Sequence, residues 1–135
     1  MVWVLYLQTV KEEEIMEKES INDKMDEFFV YTAKFMEKYP EIASSFTTLM
    51  GSVIQDGKLG SKEKELIAVG IAVGLRCVPC IHAHTKSALN MGATEDEIIE
   101  AATVAILMGG GPGMVHVMEV MKAIEAFSGN AEESA

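Results

Sequence analysis

The chain has 135 residues, of which 49% are hydrophobic and 24% are charged. This length fits one domain with a single core, and the composition is that of a folded globular protein rather than a disordered one. Its 21 acidic residues outnumber its 11 basic ones and give a formal net charge of −10. A surface this negative repels the phosphates of nucleic acids and anionic membranes, so neither is expected as a partner.

No segment has the pattern of a targeting signal or of a membrane span. Residues 1–19 start apolar and turn acidic, without the positive region and small-residue cleavage site of a signal peptide. We predict that they form an N-terminal extension and that residues 131–135 form a disordered tail. The longest uncharged stretch, residues 101–118, has a glycine-rich centre with Pro112, which an isolated membrane-spanning helix would not carry. We therefore expect a cytoplasmic protein.

The domain predicted over residues 20–130 begins with two helices. Apolar residues recur at three- and four-residue steps from Ile21 to Lys38, which predicts an amphipathic helix. Pro40 ends this helix because proline disfavours the helical conformation of the residue before it. The same proline fits the first turn of a second helix, which we expect to end near residues 55–57, where aspartate and glycine occur.

A third and a fourth helix are predicted in the centre of the chain. Gly60 and Ser61 offer an N-cap for the third, which we expect to extend from Lys62 to about Arg76. Its segment 66–75 is almost wholly apolar and is therefore predicted to be buried. The fourth helix is expected to begin near Pro79, since proline is tolerated in the first turn, and to end at Gly92.

Two further helices complete the predicted domain. Thr94 and Glu97 have the spacing of a capping box, which predicts a fifth helix from this point to about Met108. The glycine-rich segment 109–113 is predicted to be a tight interhelical loop, since it lacks the flanking strand and Lys-Ser/Thr of a phosphate-binding loop. A sixth helix is expected from about Pro112 to Phe127. No segment alternates with a period of two, so we predict an all-α fold, a compact bundle of about six helices.

The two cysteines of the chain, Cys77 and Cys80, are separated by only two residues. They are close enough to form a short-loop disulfide. Closing so small a loop restrains the unfolded chain very little, so redox or metal chemistry explains the pair better than stabilisation does. Unpaired N–H groups at a helix start near Pro79 favour the thiolate form of a nearby cysteine.

Other candidates for the site are acidic residues and histidines near the cysteine pair. His84 follows the second cysteine by four residues, which puts imidazole and sulfur on one helix face, where the base can activate the thiol. Glu65, in the first turn of the third helix, could orient His84 or relay its proton, or it could simply stabilise the helix start. Glu63 could stabilise the helix start in the same way, so the residues alone do not choose between the two. His82 is an additional candidate for the site, although it is expected to point away from this face, toward solvent or a subunit contact. His116 is expected to be a buried histidine with satisfied hydrogen bonds.

Three short segments carry a resemblance to a known family: Glu63–Ala68, Cys77–His84 and Ala88–Thr94. They resemble the carboxymuconolactone decarboxylase family and, within it, the alkylhydroperoxidase-D-like branch. The resemblance covers about residues 40–128 and rests on the spacing of a glutamate, a C-x-x-C pair and a histidine. It implies the helical fold of that branch and a homo-oligomer, since its small members assemble as trimers or hexamers.

The resemblance also implies roles for individual residues. In that branch two cysteines form a redox-active dithiol, and a glutamate and a histidine form a proton relay. These roles map onto Cys77, Cys80, Glu65 and His84. The best-known members have a histidine between the cysteines where this chain has Pro79, so the role of that histidine is absent here.

The resulting hypothesis is a thiol-dependent peroxidase or disulfide oxidoreductase that needs no cofactor. Its substrate would be a hydroperoxide or a disulfide, and an external dithiol would regenerate it. His84, oriented by Glu65, would help to deprotonate Cys80, and Cys77 would resolve the sulfenic acid; the reverse order of the cysteines is an alternative.

Two other functions are weighed against this hypothesis. One is a zinc-binding or redox-switch interaction module, in which the zinc ligands would be Cys77, Cys80 and one or both of His82 and His84. The other is a carboxymuconolactone-decarboxylase-like enzyme. The cysteine pair counts against this last function, because the true decarboxylases of the superfamily lack it.

Overall fold

The computed structural model describes residues 21–133, which form five α-helices and, within that range, no β-strand. This confirms the all-α prediction, and the predicted extension at residues 1–19 lies outside the described residues. The helices are α1 (Ile21–Lys38), α2 (Pro40–Ile54), α3 (Ser61–Leu75), α4 (Val78–Asn90) and α5 (Glu95–Glu133).

Several helix ends follow the local signals of the sequence. The capping box is formed, since the Glu97 N–H donates to Thr94 Oγ1 at 3.1 Å and the Thr94 N–H donates to the Glu97 carboxylate at 2.8 Å. Gly92, at φ +84°, follows the end of α4. The N-cap of α3 is Gly60, one of the two predicted candidates. In addition, Asp56 accepts bonds from both the N–H and the hydroxyl of Ser61, at 2.7 and 2.8 Å.

Helix α5 consists of two helical segments that meet at a kink, as the prediction of a fifth and a sixth helix requires, but one residue rather than a five-residue loop separates them. Its only interruption within the described range is Gly110, at φ 58° and ψ −140°, and the residues after it are again helical. Pro112 fits because it lies in the first turn after the break, where its missing N–H costs no hydrogen bond. A Cβ on Gly113 would lie 2.7 Å from the Ala105 carbonyl oxygen, so the two segments of α5 meet in direct backbone contact.

Helix α5 extends to Glu133, past the end expected near Phe127. The disordered tail expected at residues 131–135 stays a prediction, and residues 134–135 lie outside the described part of the chain. By length and composition alone, Glu95–Ser128 is one helix that could cross a membrane. The break at Gly110 divides it, and residues on both sides of the break, such as Ile98 and Val120, pack inside the bundle.

The core lies between α3, α4 and α5. The largest fully buried apolar side chains come from all three helices: Val69, Val73, Ile81, Ile98 and Val120. Only one face of α3 contributes to this core. Ile67, Ile71 and Leu75 are 50%, 56% and 73% exposed, so the predicted complete burial of segment 66–75 is wrong within this chain.

Candidate active site

The cysteine pair lies at the start of α4, immediately after α3. Arg76 ends α3 in the left-handed conformation, at φ 57°, and thereby turns the chain directly into α4. Cys77 is the N-cap residue of α4 and Cys80 lies in its first turn. The two form a disulfide with a Cα–Cα distance of 5.2 Å, and both are half-buried. The structure therefore holds the pair in its oxidised state.

A carboxylate and a histidine meet between α3 and α4. Glu65 is only 5% exposed, and its Oε2 lies 2.6 Å from Nδ1 of His84. When the carboxylate is ionised, Nδ1–H is the donor, and the lone pair of His84 is then on Nε2, the nitrogen that can accept a proton. His84 is one helical turn after Cys80. Glu63 is exposed, so the geometry selects Glu65 rather than Glu63 as the partner of His84.

His82 does not point toward solvent, and that prediction is wrong. The side chain is buried, at 2% exposed, because the face of α4 opposite Cys80 packs on α5 rather than on water. Its Nε2 lies 3.6 Å from Glu119 Oε2, too far for a hydrogen bond, and it has no hydrogen-bond partner among the side chains that the structure describes. Glu119 was not predicted as a neighbour of the site, although it is the first charged residue after the long uncharged stretch 101–118.

The burial of His82 makes stability depend on pH. Desolvation lowers the pKa of His82 below its usual 6.5, and the Glu119 carboxylate opposes this shift only in part; the charges of Lys24 and Lys122 lower the pKa further. As pH falls below about 6.5, the unfolded chain binds a proton at His82 that the folded chain binds only at lower pH. The free energy of unfolding therefore decreases as pH falls through this window.

We expect His82→Gln to remove this part of the pH dependence, because glutamine does not titrate. Urea unfolding of the wild type and the variant, measured at several values between about pH 7.5 and pH 5, checks it. His116→Gln is the matched control and should keep the wild-type dependence. An unchanged dependence in His82→Gln would show that this histidine is not the group responsible.

The three histidines of the chain lie in different places and do not form a common metal site with the cysteine pair. His116 is half-buried rather than buried, and its Nδ1–H donates to the Pro112 carbonyl of its own helix at 2.8 Å. His82 and His84 approach different helices, since His82 lies near α5 and His84 binds Glu65 of α3. Among the side chains that the structure describes, no group of three or more from His, Cys, Asp or Glu is placed to hold a metal ion.

Comparison with known proteins places this arrangement in a family. The model of the carboxymuconolactone decarboxylase family matches residues 40–123, more than half of the chain. A family member from Legionella pneumophila, solved in its apo form, is similar with a TM-score of 0.75 and 36% identity, over 77% of this chain and 93% of that one. A member from Thermotoga maritima, for which a part in the antioxidative response has been suggested, gives a TM-score of 0.73 at 26% identity, over 82% and 95% of the two chains.

Two curated relatives extend the comparison. An uncharacterised protein of Cupriavidus necator is 37% identical over 66% of this chain and 79% of its own length. A nitrosuccinic acid decarboxylase of Metarhizium robertsii is 34% identical over 52% of this chain and 49% of its own length. The family model, the solved members and the shared helical fold agree, and the chain belongs to the carboxymuconolactone decarboxylase family.

Proposed function

We propose that this protein is a thiol-dependent peroxidase or disulfide oxidoreductase of the alkylhydroperoxidase-D-like type. The observation that carries the proposal is the 2.6 Å contact between buried Glu65 and His84, one helical turn from a cysteine of the Cys77–Cys80 disulfide. A buried carboxylate fixes the tautomer and the orientation of the imidazole, as a general base requires. The suggested antioxidative part of the Thermotoga maritima relative supports the same chemistry.

The first half of the proposed reaction oxidises one cysteine of the reduced protein. His84 accepts the thiol proton of Cys80 at Nε2, while its Nδ1–H continues to donate to Glu65. The Cys80 thiolate attacks the terminal oxygen of the hydroperoxide, and the O–O bond breaks. The sulfur becomes a sulfenic acid, and the departing alkoxide takes the proton from His84 and leaves as an alcohol.

The second half forms the disulfide present in the structure. The Cys77 sulfur attacks the Cys80 sulfenic acid, an S–S bond forms, and the hydroxyl leaves as water. An external dithiol then reduces the disulfide and becomes a disulfide itself, so that one hydroperoxide is converted to alcohol and water for each dithiol consumed. Cys80 is assigned as the attacking residue because it shares a helix face with His84; the reverse order would place the sulfenic acid on Cys77.

A thiol titration by mass spectrometry tests this proposal. The reduced wild type, treated with stoichiometric hydroperoxide, is expected to lose both thiols rapidly as an internal disulfide. In Cys77→Ser the reaction should stop at a sulfenic acid on Cys80, which dimedone traps, whereas Cys80→Ser should react no faster than free cysteine. Wild-type thiols that react no faster than free cysteine would contradict the peroxidase function and favour a redox-switch interaction role.

A second function is motivated by the similarity to the Metarhizium robertsii decarboxylase. Decarboxylation has no step that oxidises a cysteine. The double variant Cys77→Ser/Cys80→Ser would therefore keep a decarboxylase activity but lose the peroxidase activity. Release of carbon dioxide from nitrosuccinate and from carboxymuconolactone, compared between the wild type and this double variant, separates the two functions. We expect no turnover of either acid.

A further inference from the structure

The segment that carries the disulfide differs in charge from the rest of the chain. No aspartate or glutamate occurs from Leu66 to Thr94, and all 21 acidic residues lie outside this range. Its two charged residues, Arg76 and Lys86, are both basic. A chain with a formal net charge of −10 therefore carries only positive formal charges on the part of α3 and α4 that holds its cysteine pair.

Helix α5 brings no acidic residue to the start of α4. Glu119 lies 3.6 Å from His82. Further along both helices, the Phe127 ring lies 5.3 Å from Lys86 Nζ. The second segment of α5 and α4 therefore run in the same direction, and the α5 residues nearer the start of α4 precede Glu119. These residues belong to the uncharged stretch 101–118.

Arg76 is the basic residue next to the disulfide, directly before Cys77. Its side chain is exposed, and none of the ion pairs among the described side chains includes it. Lys86 is six residues after Cys80, and its ammonium lies over the Phe127 ring. Of the two cations, Arg76 is therefore the one placed to meet an anion that approaches the cysteine pair.

The backbone conformation of Arg76 supports a role for its side chain. At φ 57° and ψ 33°, it is the non-glycine residue with a positive φ in the described part of the chain. Glycine adopts this conformation after a helix at the lowest cost, because it has no Cβ. An arginine held in this conformation beside a reactive pair suggests that its side chain provides something that glycine would not.

We propose that Arg76 is a specificity-determining residue, through which the site prefers disulfide or hydroperoxide substrates that carry a carboxylate. The inference rests on the proposed function, since it concerns the substrate of the same cysteine pair. A guanidinium binds a carboxylate through two parallel hydrogen bonds, and it stays charged throughout the physiological pH range. Arg76 thus holds the anionic end of the substrate beside Cys77 while the reactive bond of the substrate meets the thiolate.

Thiol–disulfide exchange with two reagents of different charge tests this preference in the full chain. The reduced protein is mixed with 5,5′-dithiobis(2-nitrobenzoate), which carries two carboxylates, or with 4,4′-dithiodipyridine, which is neutral. A cysteine thiolate attacks one reagent sulfur and releases the first aromatic thiolate. The other cysteine then displaces the second, so that the protein dithiol is oxidised to its disulfide and the reagent is reduced to two thiolates. The measured quantity is the ratio of the rate constants for the anionic and the neutral reagent.

Arg76→Gln and Arg76→Gly are expected to lower this ratio by about fivefold, the upper end for an exposed ion pair, and Arg76→Glu should lower it further. Arg76→Lys keeps the charge and should keep most of the ratio. Lys86→Gln is the matched control, because it changes the net charge by the same amount away from the cysteine pair, and its ratio should equal that of the wild type. Raising the salt concentration should reduce the difference between the wild type and Arg76→Gln, since exposed charges are screened.

An unchanged ratio in Arg76→Gln, or an equal fall in Lys86→Gln, would overturn the proposal. So would an equal fall of both rate constants in Arg76→Gln, because the arginine would then act on the reactivity of the cysteines rather than on the substrate. The ratio can be measured however slowly the thiols react. Failure of the proposed function, seen as slow oxidation by hydroperoxide, is therefore distinguishable from failure of this preference.

Discussion

Replacing His84 by glutamine is expected to lower kcat/KM for hydroperoxide reduction by about 10²–10⁴-fold, the usual contribution of a positioned general acid or base. Glutamine can still donate a hydrogen bond to Glu65, so the contact that joins α3 to α4 has a substitute. It cannot accept the thiol proton and return it to the alkoxide, however. The loss should therefore appear in the rate of cysteine oxidation, measured by stopped flow with the pre-reduced protein.

Glu65→Gln and His116→Gln complete this test. Glu65→Gln keeps an oxygen that accepts from His84 but removes the charge that stabilises the protonated imidazole, so we expect a smaller loss in the same direction. His116→Gln removes a histidine that bonds only to its own helix in the described structure and should oxidise at the wild-type rate. Rates in His84→Gln within about threefold of the wild type, where a transfer role predicts at least 10²-fold, would exclude His84 from proton transfer.

The helix boundaries were predictable where a local chemical signal sets them. Pro40 separates α1 from α2, and the Thr94–Glu97 capping box opens α5, because each acts through atoms within one helical turn. The hydrogen bonds from Ser61, the first residue of α3, to Asp56 were not predicted, because they depend on the path of the loop that precedes the helix. The length of the break in α5 was not predicted either. The sequence shows four glycines in segment 109–113 but does not show that only Gly110 departs from the helical conformation.

The same distinction between local and tertiary signals applies to the candidate site. The i, i+4 relation of Cys80 and His84 is fixed by helix geometry, and the partner carboxylate could be limited to Glu63 or Glu65. The residues alone did not choose between these two, and Glu65 was preferred only through the family resemblance. The 2.6 Å contact of Glu65 with His84 and the burial of His82 against α5 depend on the packing of three helices. The burial of α3 was overestimated for a related reason, because apolar composition alone does not show which faces of a helix the rest of the chain covers.

The break in α5 determines which face of α4 is covered. The segment after Gly110 brings Glu119 to within 3.6 Å of His82, and it places the Phe127 ring 5.3 Å from Lys86 Nζ, so it packs along the helix that begins with the cysteine pair. Its direction depends on the close crossing at Gly113. Substitutions in the glycine segment therefore test this crossing directly. An alanine at the crossing and an alanine beside it are expected to change the free energy of unfolding differently.

We expect Gly113→Ala to destabilise the protein by about 1–3 kcal/mol, the range found when extra atoms are forced into a packed contact. The added Cβ would lie 2.7 Å from the backbone oxygen of Ala105, so the two segments of α5 must separate. Gly111→Ala is the matched control, because a Cβ there meets no atom within 4 Å and its φ is not positive. It should be neutral or stabilising by up to about 1 kcal/mol, since alanine favours the helix. Urea unfolding of both variants measures the difference, and equal stabilities would mean that the crossing at Gly113 is not tightly packed in solution.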